Sequence, residues 1–533
     1  MELSKVLHES FEHFADEVAL IEHTVGPAGQ QYLFSDLLCL SQKIGAKIDQ
    51  LSSDGSPVGI LMRRSALHVA AMIHCIFRGV PFFSINPMLT VRQVEQIAQN
   101  ASSRLILCDD NALFRLTGIS DASEVEFCLL HVSEIEDATK QEKLRQSIAD
   151  KCLFESFHIR DMPAETGNGN SLASGENEEL LYLFTSGSTG TPKGVVIGNV
   201  DMQRRVRSEI DAYQISREDV LLNLLPFSFD VGCVQLFTAL VGGCPLVMLN
   251  SWLPTEIVKA IEFHSITGIS GVPAIWKELL SARDKITINC EKLRYVTISG
   301  GDMSAEDRMA LRDLLPDVGI YKTYGQSETF RSGMLFPQDY CRKGDSVGLP
   351  PPGVKVHILR EDGGLAGSDE TGEIVHQGVG TMLRYLGDSS GTDKKRVALD
   401  SLISEDQEEV ILTGDLGRVD AEGYLYVMGR KDRMLKIRGN RVYPEEIENL
   451  IKTLSEVNDV AVVSSETSGQ MIAAIMLEPE IPGQDQGLIK KVISRVLPSY
   501  MQPDQISFVS EFPRTSTGKV DLKSLASSLD TNG

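Results

Sequence analysis

From Leu183 to Gly194 the chain reads LFTSGSTGTPKG, which sets Thr185, Ser186, Ser188, Thr189 and Thr191 around Gly187, Gly190, Pro192 and Lys193. Glycines let backbone N–H groups turn toward an anion without a Cβ in the way, hydroxyls add donors, and Lys193 adds a full charge. Those are the parts of a phosphate cradle. A solvated Gly/Ser linker has a similar composition. The run follows LLYLF, however, an apolar strand pattern, and the carboxyl ends of strands are where open α/β sheets bind ligands. A Walker A loop does not fit: GxxxxGK[ST] needs Gly before its Lys and Ser or Thr after it, where this chain has Pro192 and Gly194.

Other segments carry side chains able to do chemistry. YGQSET holds Tyr324, Gln326, Ser327 and Glu328; LTGDLG holds Asp415; GRKD holds Arg430 and Asp432; TSTGKV holds Lys519. Each alone has a plain reading as a core tyrosine, a turn aspartate, a salt-bridged arginine or a solvated lysine. Asp230, in LLPFSFDVGCVQLF, has one as a helix start, since Asp before an apolar-periodic run is a common opening signal.

Taken together, LFTSGSTGTPKGV, YGQSET, LTGDLG, GRKDRMLKIRG, VYPEEIE and TSTGKV, in this order, resemble the motifs of adenylate-forming enzymes. These are nonribosomal peptide synthetase adenylation domains, acyl-CoA synthetases and their relatives. The resemblance implies an α/β fold: an N-terminal core over 1–431, of two α/β subdomains and a β-rich one, and a small mobile α+β domain over 432–533. It implies attack of a substrate carboxylate on the α-phosphorus of ATP, with Mg²⁺ as cofactor. By the same resemblance the glycine-rich loop and Lys193 hold the outer phosphates, and Gly300 and Gly301 line the nucleotide site. Tyr324 lies against adenine, Ser327 contacts the α-phosphate, Glu328 is the Mg²⁺ carboxylate, Asp415 takes the ribose hydroxyls and Arg430 assists. Asp432 becomes the hinge, and Lys519 reaches the reacting carboxylate. Gln326, Lys322, Met434 and Asn199 depart from common family residues without removing a catalytic group.

The resemblance also speaks to the acid. Asp230 matches the aspartate that holds a substrate ammonium in amino-acid-activating members, and Ser299, Thr323, Arg331 and Ser332 fall on pocket positions. A planar arginine fork binds carboxylate through two bonds, so Arg331 suggests a second carboxylate on the substrate; the alternative is that it faces solvent or pairs with a neighbouring acid. Asp230, Ser299 and Arg331 together are similar to the stand-alone ligases of macrolactam polyketide assembly that load β-amino acids, the 3-methylaspartate type, onto the phosphopantetheine thiol of an acyl carrier protein. No carrier segment follows TSTGKV, so the expected carrier is a separate partner. A CoA ligase for a non-amino acid and a non-catalytic nucleotide-binding homologue are the rivals.

Several elements must position these groups. Apolar runs such as SPVGILM, SRLILCDD, EFCLLHV, LRYVTISGG and VGIYKTYG alternate with helical patterns such as ALHVAAMIHCIFRG, which predicts parallel sheets covered by helices. AETGNGNSLASGENEE (164–179) reads as a surface loop. After Gly372 short strands and glycine turns predict a β-rich subdomain. From about Arg433, PEEIENLIKTL and LIKKVISRVL alternate with DVAVVSS and MIAAIML as a compact unit of roughly 100 residues. At 533 residues and 42% hydrophobic content the chain can build more than one core. A net charge of −23 argues against nucleic acid as a partner. The nine cysteines lie singly, the first residues lack a signal-peptide pattern, and the uncharged run 231–254 is broken by Gly-Gly-Cys-Pro into a helix and a strand. The expected setting is therefore the cytoplasm, without a membrane partner.

Overall fold

A computed structural model of the chain describes residues 2–23, 29–52, 54–112, 128–133, 153–158, 178–186, 192–398, 409–433, 435–437, 440–442, 444–452, 454, 457–465, 470–477, 491, 502–514 and 520–531. Two eight-stranded sheets dominate it. In the first, the order is Gly333–Leu335, Gly319–Tyr324, Tyr295–Ile298, Gly268–Gly271, Leu221–Asn223, Leu246–Met248, Val18–Glu22, Gln30–Leu33. Its inner strands run parallel and only the outermost pairings are antiparallel. Leu221–Asn223 sends its chain to one side, into Leu246–Met248, and its other neighbour Gly268–Gly271 continues away on the opposite side. The carboxyl ends of those two neighbours are thus a topological switch point, where open α/β sheets form their ligand crevice.

The second sheet runs Arg384–Tyr385, Pro192–Gly198, Glu179–Ser186, Phe82–Ser84, Val58–Leu61, Leu105–Cys108, Cys128–Ser133, Leu153–His158. It is parallel from Glu179–Ser186 onward and antiparallel at the Glu179–Ser186/Pro192–Gly198 hairpin. The expected helix in ALHVAAMIHCIFRG forms over Ala66–Arg78. Ser65 caps it by accepting from the His68 N–H, and it stops at Gly79, whose φ of +65° suits glycine. Apolar on nearly every face, it must be buried on all sides. It lies in one continuous core with Val58, Ile60 and Leu181 of the second sheet and Leu221, Leu246 and Tyr295 of the first. The two sheets therefore share a core.

Arg64, just before that helix, locks the sheets together. Its guanidinium donates to the Asn223, Leu225 and Leu249 carbonyls and to the Asn223 and Asn250 side chains, at 2.7–3.1 Å. Asn223 in turn donates to Gln235 and to the Gly232 carbonyl. The helix that begins at Asp230 is thereby fixed to the switch strand.

The run 231–254 divides as expected, into the helix Asp230–Gly242 and the buried strand Leu246–Met248, with Gly243 at φ +70° between them. Among the described residues no helix is long and apolar enough to cross a membrane. The β-rich part begins earlier than Gly372, with Val354–Leu359 pairing antiparallel to Gly372–Gly378. That strand, VKVHIL, is half-exposed along most of its length, so its sequence lacks the apolar run of a buried strand. Glu409–Val419, Arg396–Ala398 and Leu425–Arg430 complete the sheet. Further on, Pro444–Ile451 packs on Val457–Ser464, which pairs with Met471–Leu477 and then Gln505–Phe508 around a separate core. The loop 164–179 and the helix expected in LIKKVISRVL lie outside the described residues except for Glu178, Glu179 and Lys491.

Candidate active site

The glycine-rich loop joins two antiparallel strands in register Thr185↔Lys193 and Ser186↔Pro192. A strand, not a helix, follows it, so no helix N-terminus faces its anion as in a Walker loop. Gly187, Ser188, Thr189, Gly190 and Thr191 lie outside the described residues, and Thr185 and Lys193 stand at the loop's feet. The Lys193 ammonium sits 3.4 Å from the centroid of the Tyr385 ring and 3.2 Å from Asp388. The Tyr385 hydroxyl donates to Glu328 at 2.6 Å. Burial and the Glu328 charge both raise the Tyr385 pKa, so the proton stays on the phenol. One tyrosine thus ties the loop lysine to the carboxylate of YGQSET.

YGQSET opens the loop that joins Gly319–Tyr324 to its antiparallel neighbour Gly333–Leu335. The Ser332 N–H donates to the Tyr324 carbonyl, and Phe330 takes a φ of +50°. A Cβ on Gly325 would lie 1.7 Å from the Phe330 carbonyl oxygen, so only glycine fits there. An unfavourable backbone state at Phe330, next to Arg331, is of the kind that clusters at functional sites.

Tyr324 donates to Asp415 at 2.5 Å, Gln326 donates to the same oxygen at 3.3 Å, and Arg430 donates to the other oxygen at 3.2 Å. Gln326, one of the departures from the family pattern, therefore adds a bond to Asp415. Arg430 also donates to Asp432 through two nitrogens, at 3.1 and 3.2 Å. Lys395 donates to the Thr413 carbonyl at 2.6 Å, and burial lowers its pKa against the pull of Glu328 and Asp415. Neither Tyr385 nor Lys395 stood out in the sequence. Both belong to the stretch around a short helix, Ser389–Lys395, with no motif of its own.

The acid side lies at the switch point. Asp230 is the first residue of its helix, 8% exposed, and accepts the Val231 N–H at 2.8 Å. Ser299 and Thr323, on neighbouring strand ends, share a hydrogen bond of 2.7 Å. Gly300, at φ +76°, leaves room for Phe229, which a Cβ there would approach to 3.2 Å. Ser332 is fully buried, and its hydroxyl engages Thr329 and His376 rather than open space. Burial holds the His376 pKa down to about 4. Lys322 points away from Thr323 along the same strand and pairs with Asp302 at 2.8 Å.

Arg331 is not an open fork. It is buried, pairs with Glu209 at 2.7 Å and donates to the Tyr213 hydroxyl, so any substrate carboxylate would share it with a neighbouring acid. Glu209 also takes a bond from Arg205, and the two arginines flank it. Burial works against the Arg331 charge, but Glu209, Tyr213 and Asp230 together raise its pKa above the ordinary value. At Arg205 burial prevails and the pKa falls. Lys519 and Met434 lie outside the described residues.

The donor set suits magnesium carried on phosphates. Glu328 offers a carboxylate bonded to Tyr385, whose ring carries Lys193, and among the described residues no group of three or more His, Cys, Asp or Glu forms a cage of its own. A hard cation that keeps its waters and binds phosphate needs only one or two protein carboxylates.

Comparison with known proteins places this arrangement. The model of the AMP-binding enzyme family matches residues 7–386, and that of the AMP-binding enzyme C-terminal domain matches 446–519. The chain belongs to the AMP-binding enzyme family, and is thus an adenylate-forming ligase whose cofactors are ATP and Mg²⁺. It is 24% identical over 94% of its length to D-alanine--D-alanyl carrier protein ligase of Listeria monocytogenes, covering 95% of that protein. It is 30% identical over 65% of its length to indoleacetate--CoA ligase of Aromatoleum aromaticum, covering 66% of it. It is 25% identical to bacitracin synthase 3 of Bacillus licheniformis over 98% of its own length, but spans only 8% of that protein. Among solved structures, the amide bond synthetase McbA of Marinactinospora thermotolerans shares the fold with a TM-score of 0.83 at 20% identity, covering 99% of both chains. The larger N-terminal and smaller C-terminal parts follow the fold of these structures.

Proposed function

We propose that the chain activates an amino acid as its adenylate and passes it to the phosphopantetheine thiol of a separate acyl carrier protein, with an aspartate-like acid such as 3-methylaspartate, activated at its β-carboxylate, as substrate. The observation that carries this is that Asp230 and Arg331 are both buried, with the Asp230 charge among those that hold up the Arg331 pKa. Arg205, Arg331, Glu209 and Asp230 bring two positive and two negative charges. A substrate's ammonium and one carboxylate can join as a zwitterion, the ammonium to Asp230 and the carboxylate to Arg331, leaving that balance unchanged. Burying a charge without such pairing is costly. A second carboxylate then remains free to react.

In the first step an oxygen of that carboxylate attacks the α-phosphorus, the bond to the bridging oxygen breaks, and pyrophosphate leaves with the electron pair. Lys193 and the loop hold the departing phosphates, while Tyr324, Asp415 and Arg430 hold the nucleoside. Glu328 would hold Mg²⁺, which when bound neutralises phosphate charge. Lys519 takes the reacting carboxylate, by its motif. Positioning and fixed charge carry such a transfer, since little covalent work falls to the protein. In the second step the thiol, losing its proton to solvent, attacks the acyl carbon and AMP leaves. We place the domain boundary between Lys431 and Asp432, with Asp432 as the hinge between the two steps, and the reaction in the cytoplasm. The likeness to D-alanyl carrier protein ligases supports the carrier as acceptor. The acceptor is tested by supplying ATP and aspartate with either a phosphopantetheinylated carrier protein or CoA. A thioester on the carrier alone is expected; turnover on CoA alone would contradict it and favour the CoA-ligase reading, for which the indoleacetate--CoA ligase likeness speaks.

A further inference from the structure

The helix Asn199–Tyr213 carries Arg205, Glu209 and Tyr213 at i, i+4 spacing, on one face. All three are buried, at 2%, 3% and 3% exposure, against Arg331 of the YGQSET loop. One Glu209 oxygen accepts from both Arg205 and Arg331. The Tyr213 hydroxyl accepts from the other terminal nitrogen of Arg331, and its ring is held by stacking on Tyr295 at 4.8 Å. Both terminal nitrogens of Arg331 are therefore engaged by this helix, and Nε is left with no partner among the described residues.

We propose that Glu209 is the specificity-determining residue of this pocket: its charge competes with the substrate for Arg331 and so sets how strongly a second carboxylate is held. The proposal rests on reading the pocket as an amino acid site. Glu209 need not touch the acid, because it acts through the guanidinium that does. Without its charge the four-residue cluster changes from neutral to singly positive and favours an anionic group. Without the charge of Arg205 the cluster becomes singly negative and disfavours one. A purely structural Arg–Glu–Arg triad, which buried ion pairs can also be, would impair all acids alike.

The test measures kcat/KM by pyrophosphate exchange for aspartate and for β-alanine, which lacks the second carboxylate. Glu209→Gln keeps the side-chain volume and is expected to shift the aspartate to β-alanine ratio upward by about tenfold, the effect of one well-placed charge. Arg205→Gln is expected to shift it downward by a similar factor, and Glu209→Asp, which restores the charge, to return it toward the starting value. Ratios that stay within about twofold in both Gln variants, or move in the reverse directions, overturn the proposal. Should one variant fail to fold, the sign of the shift in the other decides. A wild-type enzyme that activates no amino acid removes the amino acid reading and this proposal with it; an active one with unmoved ratios removes only the proposal.

Discussion

Lys193, Tyr385 and Glu328 form a chain of contacts that joins the foot of the glycine-rich loop to the carboxylate proposed to hold Mg²⁺. The ring of Tyr385 carries the lysine and its hydroxyl carries the glutamate. Tyr385→Phe keeps the ring and deletes only the second contact. A hydrogen bond to a charged group contributes about 1.5–3 kcal/mol, so the Mg²⁺ concentration giving half-maximal exchange should rise by roughly tenfold, with little change in the KM for the acid. An unaltered Mg²⁺ response would make Tyr385 a packing residue only. Lys193 and Glu328 were legible in the sequence because each sits in a dense local motif. Tyr385 was not, since a tyrosine in LRYLGD has no neighbours that set it apart from core.

The same contrast holds for whole elements. Arg205–Glu209 and Arg207–Asp211 are both i, i+4 pairs of one helix, yet the first is buried and the second is mostly exposed, at 66% and 54% of the side chains. Spacing alone describes both as a solvated charged face, and only the packing against the YGQSET loop separates them. Parallel sheets, the helix over Ala66–Arg78 and the division of the 231–254 run were legible because buried strands and fully apolar helices write their environment into composition. VKVHIL was not, because a half-exposed strand does not. Arg64 belongs to the illegible class too: a lone arginine before a helix gives no sign that it will cap two strands of another sheet. Burial lowers its pKa to about 9, but five hydrogen bonds hold it. Arg64→Met should destabilise the protein by about 3–5 kcal/mol, since it strands buried carbonyls and loosens the Asp230 helix. Denaturant unfolding would measure it, and a loss below about 1 kcal/mol would mean that the two sheets are held by apolar packing alone.

Across the whole molecule, the two large sheets share one core while the C-terminal elements build their own. Arg430 lies where the chain leaves the β-rich sheet, bridging Asp415 and Asp432. Asp230, Ser299 and Thr323 follow or end strands of the first sheet, and the two strands that flank the glycine-rich run belong to the second. On the function proposed above, the acid carries both an amine and a second carboxylate. Pyrophosphate exchange with aspartate, β-alanine and succinate, which differ by one group each, tests it most directly. Exchange fastest with aspartate, weaker with β-alanine and absent with succinate is the predicted result; exchange with succinate at the rate of aspartate would contradict it.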